Sequence, residues 1–204
     1  MPTRAEVAAS RALRFLVDRF ASRYARRAAD RGIHRRSDQC LRALARIYAR
    51  FELPRSVEIL EALRVNDPRQ WVDAPTLECR GCWHGYTLRL DLADYFQRWA
   101  YFLSRYHEVP LQVLLRKALH PGDVFVDGGA NIGLVALVAA SRVGRSGRVL
   151  AFEPNPTAHE RLRWHVQRNR IVSIQPLPLG LSDSEESLLL QVPGRDNIGA
   201  GTFC

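Results

Sequence analysis

The sequence predicts an α/β protein in which a parallel, Rossmann-like sheet follows an all-helical N-terminal segment. An apolar run at residues 124–127 ends in glycines and leads into an apolar helical stretch, a pattern typical of a buried parallel strand and its crossover helix. A second apolar run follows at 148–152, and the two runs end in Asp127 and Glu153. A third run, 171–179, predicts the third strand.

The composition indicates a folded protein that contains one domain of ordinary size and an appendage. The chain has 204 residues, of which 47% are hydrophobic, enough to bury a core. No apolar run is long enough to span a membrane, and no apolar stretch follows the first residues as it would in a secretory signal. Four sparse cysteines do not predict a disulfide scaffold, so a reducing, cytoplasmic location is expected.

The net charge of +9 lies in the first part of the chain. Residues 1–55 hold 14 arginines and five acidic residues, so the remainder is neutral. Apolar residues at helical spacing predict helices over 4–29 and 37–51 and a short one over 56–65. We expect these helices to form a cap, with contact between residues 1–55 and an anionic membrane or nucleic acid as the alternative. No nucleic-acid partner is expected for the protein, and the possible contact through residues 1–55 is with an anionic surface.

The middle of the chain is expected to lead into the sheet. Residues 76–78 and 86–90 predict a hairpin, and helices are expected over 92–103 and 111–119. One C-x-x-C sequence, Cys79 to Cys82, lies in the hairpin, but a single pair is a weak zinc signal and no metal site is predicted. The predicted domains are therefore residues 1–70, 71–120 and 121–204.

The glycines after the first strand predict a ligand site. Glycines allow a ligand to approach the backbone, and the helix predicted over 132–140 should supply free N–H groups and a positive dipole. Asp127 and Glu153 end adjacent strands, so both should lie at the carboxyl edge of the sheet. Asp127 would face a cationic or hydroxylated group, and Glu153 could accept two ribose hydroxyls. S-adenosylmethionine has a ribose and a cationic amino-acid tail, so it suits both acids better than a pyrophosphate does.

The segments after Glu153 predict the rest of the sheet. A capping box at 157–160 should start a helix that reaches Asn169. Pro176 and Pro178 remove two N–H donors on the same side of the third strand, so that strand should lie at a sheet edge. In the strand order 3-2-1-4-5-7-6 of class I methyltransferases the third strand is an edge strand. Residues 187–192 predict a short added strand.

From about Gly85 to the C-terminus the sequence resembles the FkbM family of S-adenosylmethionine-dependent methyltransferases. The helical N-terminal segment lies outside this resemblance. Gly128 stands where the family usually has an aliphatic residue. The matching blocks are Pro121-Gly122-Asp123-Val124-Phe125-Val126-Asp127, Gly129-Ala130-Asn131-Ile132-Gly133, Ala151-Phe152-Glu153-Pro154-Asn155-Pro156, Leu179-Gly180-Leu181-Ser182-Asp183, a tyrosine or histidine before Glu108, and Asn197-Ile198-Gly199.

The resemblance implies cofactor roles for individual residues. Asp127 would lie near the methionine amino group, Glu153 would hold the ribose hydroxyls, and Leu181 would touch the adenine. The residues implied to line the methionine and ribose side are Gly129, Ala130, Asn131 and Gly133. The implied reaction is O-methylation of a sugar, a glycolipid or a natural-product hydroxyl. The sequence does not identify the acceptor or a catalytic base.

We expect the methyltransferase sheet to be truncated after about its third strand, because a complete sheet of this class needs roughly four more. The 204-residue chain alone should then have little methylating activity and modest solubility. One alternative is a degenerate methyltransferase-like protein that binds a partner or acts as a scaffold. The other is an NAD-dependent dehydrogenase, since Gly128, Ala130 and Gly133 loosely match the dinucleotide fingerprint. Asp127 argues against it, because a carboxylate there would repel a pyrophosphate.

Overall fold

The computed structural model describes residues 64–192 and 194–203, with isolated positions at 43, 45–47, 49, 51 and 60. The chain divides into two compact units, Met1–Ala74 and Pro75–Cys204. The predicted helix over 4–29 lies outside the described residues, as do most of those over 37–51 and 56–65; positions 43, 45–47 and 49 are helical. In the first unit a 3-10 helix, Pro68–Gln70, begins after Asp67, whose carboxylate accepts from the Arg69 N–H.

The second unit begins with the predicted hairpin. Strands β1 (Thr76–Arg80) and β2 (Thr87–Asp91) are antiparallel, and Cys79 pairs with Leu88 in their register. Cys79, Leu88 and Leu90 are buried and belong to the same apolar core as the parallel sheet. The hairpin prediction is therefore confirmed, and in the structure the hairpin packs in one unit with the sheet.

Two helices connect the hairpin to the parallel sheet. Helix α1 (Tyr95–Leu103) begins three residues later than predicted, because the Asp94 side chain accepts the Gln97 N–H and caps the helix there. Helix α2 (Val109–Ala118) has proline within its first two positions. A backbone N–H at these positions has no partner within the helix, so proline loses no hydrogen bond there. Both helices agree with the predicted pattern apart from these starts.

The core of the unit is built around a parallel sheet whose strands alternate with helices along the chain. Its elements are β3 (Val124–Gly128), α3 (Leu134–Val143), β4 (Arg148–Phe152), α4 (Pro156–Arg168) and β5 (Ile174–Leu177). The strands are parallel in the order β3-β4-β5. This confirms the predicted Rossmann-like α/β class. Helix α3 begins two residues later than predicted, after Gly133, and continues past the predicted 140 to Val143, where Gly144 is the C-cap.

The edge position predicted for the third strand is confirmed. Among the strands of the described residues, β5 pairs with β4 alone, and it is shorter than the predicted 171–179. The carbonyls of Ser173 and Leu177 accept from the amides of Val149 and Glu153. Odd-numbered positions of β5 therefore form the ladder with β4, and the nitrogen of Pro176 lies on the outer edge, whereas Pro178 follows the strand, which ends at Leu177. At the other edge of the sheet, the side chains of β3 residues Val124 and Val126 are 65% and 52% exposed.

Two sequence predictions were wrong in detail. Helix α4 is capped by Asn155, whose side chain accepts the Thr157 N–H, so the capping box at 157–160 does not form. Asn155 lies one residue before Pro156, and proline suits the first helical position. The segment near 190 does not join the parallel sheet. Strand β6 (Leu190–Gln191) pairs instead with β7 (Thr202–Phe203) in a separate two-stranded ribbon.

Two side chains at the C-terminal end of α4 form hydrogen bonds with main-chain groups of β2. The side chain of Asn169 accepts the Thr87 N–H at 2.7 Å and donates to the Thr87 carbonyl at 2.8 Å, as a neighbouring strand would. One helical turn earlier, the ring of His165 accepts the Arg89 N–H at 2.8 Å and donates to the Ile132 carbonyl at 2.8 Å. Burial lowers the pKa of His165 to about 4, so the neutral ring that these two bonds require is the stable form.

We expect Asn169→Ala to lower the free energy of unfolding by about 2 kcal/mol, because it leaves both main-chain groups of Thr87 without their partner. The measurement is urea denaturation of the full chain followed by circular dichroism. Gln167→Ala is the control, since Gln167 is exposed on the same helix. Equal stabilities of the two variants would show that Asn169 does not hold the hairpin edge.

Candidate functional site

A cavity of about 570 Å³ lies at the carboxyl edge of the parallel strands. Open α/β sheets bind ligands at this edge. The glycine turn after β3, the end of β4 and the loop after β5 form much of its wall. The predicted site residues that line the cavity are Gly129, Ala130, Asn131, Glu153 and Leu181. Asp127 and Gly133 are not part of the wall.

Glu153 is fixed by two main-chain hydrogen bonds. Its carboxylate accepts the Asn131 N–H at 2.6 Å and the Asn155 N–H at 2.8 Å, and the residue is 7% exposed. One oxygen receives each bond, so each oxygen keeps a further lone pair. The carboxylate therefore joins the glycine turn to the end of β4 and can still accept from two adjacent hydroxyls.

Asp127 is a buried carboxyl group with an unmatched oxygen. The residue is 8% exposed, and within the described part of the chain its Oδ2 has no hydrogen-bond partner. Burial raises the pKa of Asp127 to about 6, the charge of Glu153 adds to this, and a hydrogen bond from the Ala136 amide opposes it. A cationic group beside Oδ2 would supply the missing partner and restore the charged form.

The amides of the glycine turn are used inside the protein. Gly129 and Ala130 both donate to the Phe152 carbonyl, at 3.0 and 2.8 Å. Asn131 donates to Glu153, and Gly133 donates to the Ala130 carbonyl at 2.8 Å. These four amides are therefore not free to bind a ligand; of them, only Gly133 lies in the stretch 132–140 for which free N–H groups were predicted. A pyrophosphate depends on such donors, so the turn is not built like a dinucleotide site.

Gly133 serves the packing of the turn against α4. Its φ of +89° lies in the left-handed region, and a Cβ at this position would collide with Cδ1 of Leu162. Asn131, with a φ of +49°, also lies in that region. Its Oδ1 is buried and has no hydrogen-bond partner among the described residues. The turn therefore has a backbone shape that ordinary residues resist and presents an unmatched acceptor.

The sequence predictions missed one wall of the cavity. Phe96 and Gln97 of α1 line it, together with Tyr106 from the loop between α1 and α2. The Tyr106 hydroxyl donates to the Glu108 carboxylate at 3.3 Å. The resemblance had marked the residues just before Glu108, but nothing in the local sequence distinguishes Phe96 and Gln97 from core residues of an aromatic helix.

A segment near the end of the chain also lines the cavity, through Ile198, Gly199, Gly201 and Phe203. Arg195 forms a bidentate pair with Asp91, at 2.8 and 3.0 Å. The Ile198 amide donates to Asp94 at 3.0 Å, and its carbonyl accepts from the Asn155 side chain at 2.7 Å. These bonds tie residues 194–203 to the start of α1 and to the end of β4. The block at Asn197 was noted in the sequence without a place for it in the site.

The described residues contain no group of histidine, cysteine, aspartate and glutamate side chains arranged to hold a metal ion. None of the helices in the described ranges has the length and apolar character needed to cross a membrane.

Comparison with known proteins gives two partial sequence matches, and no protein-family model matches the chain. The chain is 42% identical over 77 residues to AMB antimetabolite synthetase AmbE of Pseudomonas aeruginosa, covering 37% of this chain and 4% of that protein. It is 33% identical over 87 residues to tRNA (guanine(37)-N(1))-methyltransferase 2 of Phaeodactylum tricornutum, covering 43% of this chain and 14% of that protein. The chain therefore spans only a small part of these curated relatives.

Solved structures resemble the chain only distantly. Trm5 of Methanocaldococcus jannaschii, in complex with adenosine, superposes with a TM-score of 0.35 and 20% identity over 60% of this chain and 42% of that one. A SAM-dependent O-methyltransferase of Thermotoga maritima gives a TM-score of 0.32 and 20% identity over 39% and 30% of the two chains. At these TM-scores the likeness says nothing about activity.

Proposed function

We propose that the chain binds S-adenosylmethionine in the cavity at the carboxyl edge of its parallel sheet and belongs to a methyltransferase. The observation that carries the proposal is the pair of strand-end carboxylates, one with an unmatched buried oxygen and one fixed beside the turn. The partial match to a protein named as a methyltransferase supports it. So does the internal use of the turn amides, which disfavours the dehydrogenase alternative.

Each predicted residue then has a role that its surroundings allow. Asp127 is not part of the wall but directly precedes the wall residues Gly128 and Gly129, and it would bind the amino group of the cofactor through Oδ2. Glu153 accepts the ribose hydroxyls through the lone pairs that its two amide bonds leave. Gly129, Ala130 and Asn131 form the wall beside the methionine and ribose, Gly133 holds the turn in place, and Leu181 covers the adenine.

When bound, the cofactor would supply its sulfonium methyl group to the acceptor atom, with S-adenosylhomocysteine as the leaving group. The contribution of the protein is to align the two reactants and to take a proton from a hydroxyl acceptor. Tyr106 lines the cavity and is hydrogen-bonded to Glu108, which is half exposed at the surface. Glu108 is therefore our candidate for the group that receives this proton.

We propose a hydroxyl of a sugar, a glycolipid or a natural product as the acceptor. The partial match to a protein named as an antimetabolite synthetase favours the natural product. The match to a protein named as a tRNA methyltransferase favours a second candidate, an RNA acceptor. Incubating the chain with labelled S-adenosylmethionine and either bulk tRNA or a panel of polyhydroxylated compounds distinguishes the two by which fraction gains the label.

Titration calorimetry with S-adenosylhomocysteine over pH 5 to 7 tests the cofactor assignment. Because Asp127 titrates with a pKa of about 6, it is mostly neutral at pH 5 and mostly ionised at pH 7. A ligand ammonium binds the ionised form, so affinity should rise about tenfold over this range, as expected for one linked proton. Asp127→Asn should remove the pH dependence.

The control ligands for this titration are NAD and 5′-methylthioadenosine. The latter has the adenine and ribose but lacks the amino-acid tail, so its affinity should not change with pH. Tight binding of NAD without binding of S-adenosylhomocysteine would support the dehydrogenase alternative. Failure to bind any of the three ligands would leave the scaffold alternative.

A further inference from the structure

Residues 194–203 form a segment, here called the strap, that is fastened to the end of β2 and the start of α1. The guanidinium of Arg195 donates twice to the Asp91 carboxylate, at 2.8 and 3.0 Å. The amide of Ile198 donates to the Asp94 carboxylate at 3.0 Å. The last residues of the strap form β7, which pairs with β6. The strap is therefore held at both of its ends.

Between these ends the strap lies against two other segments that line the cavity. A Cβ on Gly199 would collide with the side-chain nitrogen of Asn131 in the glycine turn. On the loop after β5, a Cβ on Gly180 would lie 2.8 Å from the tip of the Phe203 ring. Because all four of these residues line the cavity, the strap links segments from different parts of its wall.

Asn155, at the end of β4, holds the middle of the strap. The residue is 3% exposed, and its Nδ2 donates to the Ile198 carbonyl at 2.7 Å. Its Oδ1 accepts the Thr157 N–H at 3.0 Å and caps α4. Only the oxygen of the amide can accept, so the nitrogen must face the strap. The main-chain amide of Asn155 donates to Glu153 at 2.8 Å, so this one residue joins the strap to the carboxylate assigned to the ribose.

Helix capping alone does not require asparagine at position 155. Asparagine, aspartate and serine are about equally good N-caps. Aspartate has no donor when ionised, and serine has one hydroxyl on a shorter side chain, so asparagine alone can cap α4 and donate to the strap through separate atoms. We propose that Asn155 is a positioning residue that fastens the strap against the bound cofactor and thereby sets the rate of cofactor release. This inference rests on the proposed function.

The first test is Asn155→Ser, which keeps an oxygen to cap α4 and the main-chain bond to Glu153 but removes the amide donor. In the ligand-free chain, hydrogen exchange measured by mass spectrometry should become about tenfold faster within residues 194–203 and stay unchanged in α4. By surface plasmon resonance, S-adenosylhomocysteine should dissociate about tenfold faster, as for the loss of one buried hydrogen bond. Its association should not slow, since a looser strap leaves the cavity more accessible.

Arg195→Gln loosens the strap at a different point, so it should give the same pattern of exchange and dissociation. Asn169→Ala is the control for general destabilisation, because it removes two bonds at the far end of α4. It should leave exchange in the strap and both rate constants within twofold of the wild type.

Three results would contradict the inference. Unchanged exchange of the strap in both variants, or an equal increase in Asn169→Ala, would show that Asn155 and Arg195 do not fasten it. Faster exchange of the strap with unchanged dissociation of S-adenosylhomocysteine would overturn its role in release and leave the proposed function intact. A wild-type chain that does not bind S-adenosylhomocysteine would overturn both.

Discussion

Glu153→Ala should abolish measurable binding of S-adenosylhomocysteine, with a loss of at least 100-fold in affinity, and should also destabilise the fold by about 3 kcal/mol. The substitution removes the ribose acceptor and leaves the buried amides of Asn131 and Asn155 without the charged partner that now receives both. Calorimetry and urea denaturation of the same preparation measure the two effects.

The ligand series distinguishes the role of Glu153 from that of Asp127. Loss of the ribose contact should weaken the binding of 5′-methylthioadenosine as strongly as that of S-adenosylhomocysteine. Asp127→Asn should weaken only the binding of S-adenosylhomocysteine, the ligand with the amino-acid tail. Glu160→Gln is the control for charge removal, because Glu160 is exposed on α4. If folded Glu153→Ala bound either ligand within threefold of the wild type, Glu153 would have no part in the site.

Gly133→Ala should lower the free energy of unfolding by about 3 kcal/mol. Two costs add: a left-handed backbone costs a residue with Cβ roughly 1–2 kcal/mol, and the new methyl group collides with Leu162, an overpacking cost of about 1–3 kcal/mol. Urea denaturation measures the change.

Gly129→Ala is the matched comparison for this variant. Gly129 has a φ of +75°, and a Cβ there meets nothing within 4 Å, so only the backbone cost of about 1–2 kcal/mol applies. Leu162→Ala in the Gly133→Ala background should recover part of the difference, because it removes the side chain with which the methyl group collides. Equal destabilisation by the two alanine variants would mean that the packing on α4 does not matter.

The sequence was sufficient for the elements whose signals are local. Strand β3, the glycines after it and strand β4 were found because a buried parallel strand needs a continuous apolar run. The edge position of β5 was found because proline cannot donate to a ladder. Where two local signals competed, the prediction failed. Asn155 and Thr157 are both good caps, and Pro156, which suits the first position of a helix, follows Asn155.

Only those site residues could be predicted that stand at the end of an apolar strand pattern in the sequence. Asp127 and Glu153 end adjacent apolar runs, so their meeting at one edge follows from the order of the strands. The wall formed by Phe96, Gln97 and Tyr106 depends instead on contacts between segments far apart in sequence. In the same way, the partners of the glycine-turn amides, a β4 carbonyl and the Glu153 carboxylate, become neighbours only in the folded chain.

The prolines at and just after β5 affect which edge of the sheet could pair with a further strand. A strand that approached this side would find no N–H donor at the outward position 176, nor at 178 just beyond the end of β5, so a regular ladder there would lack both bonds. Strand β3, at the opposite edge, contains no proline, so each of its residues has a main-chain N–H. We therefore expect a further strand to pair on the β3 side, where its register would be set by the strand that also carries Asp127.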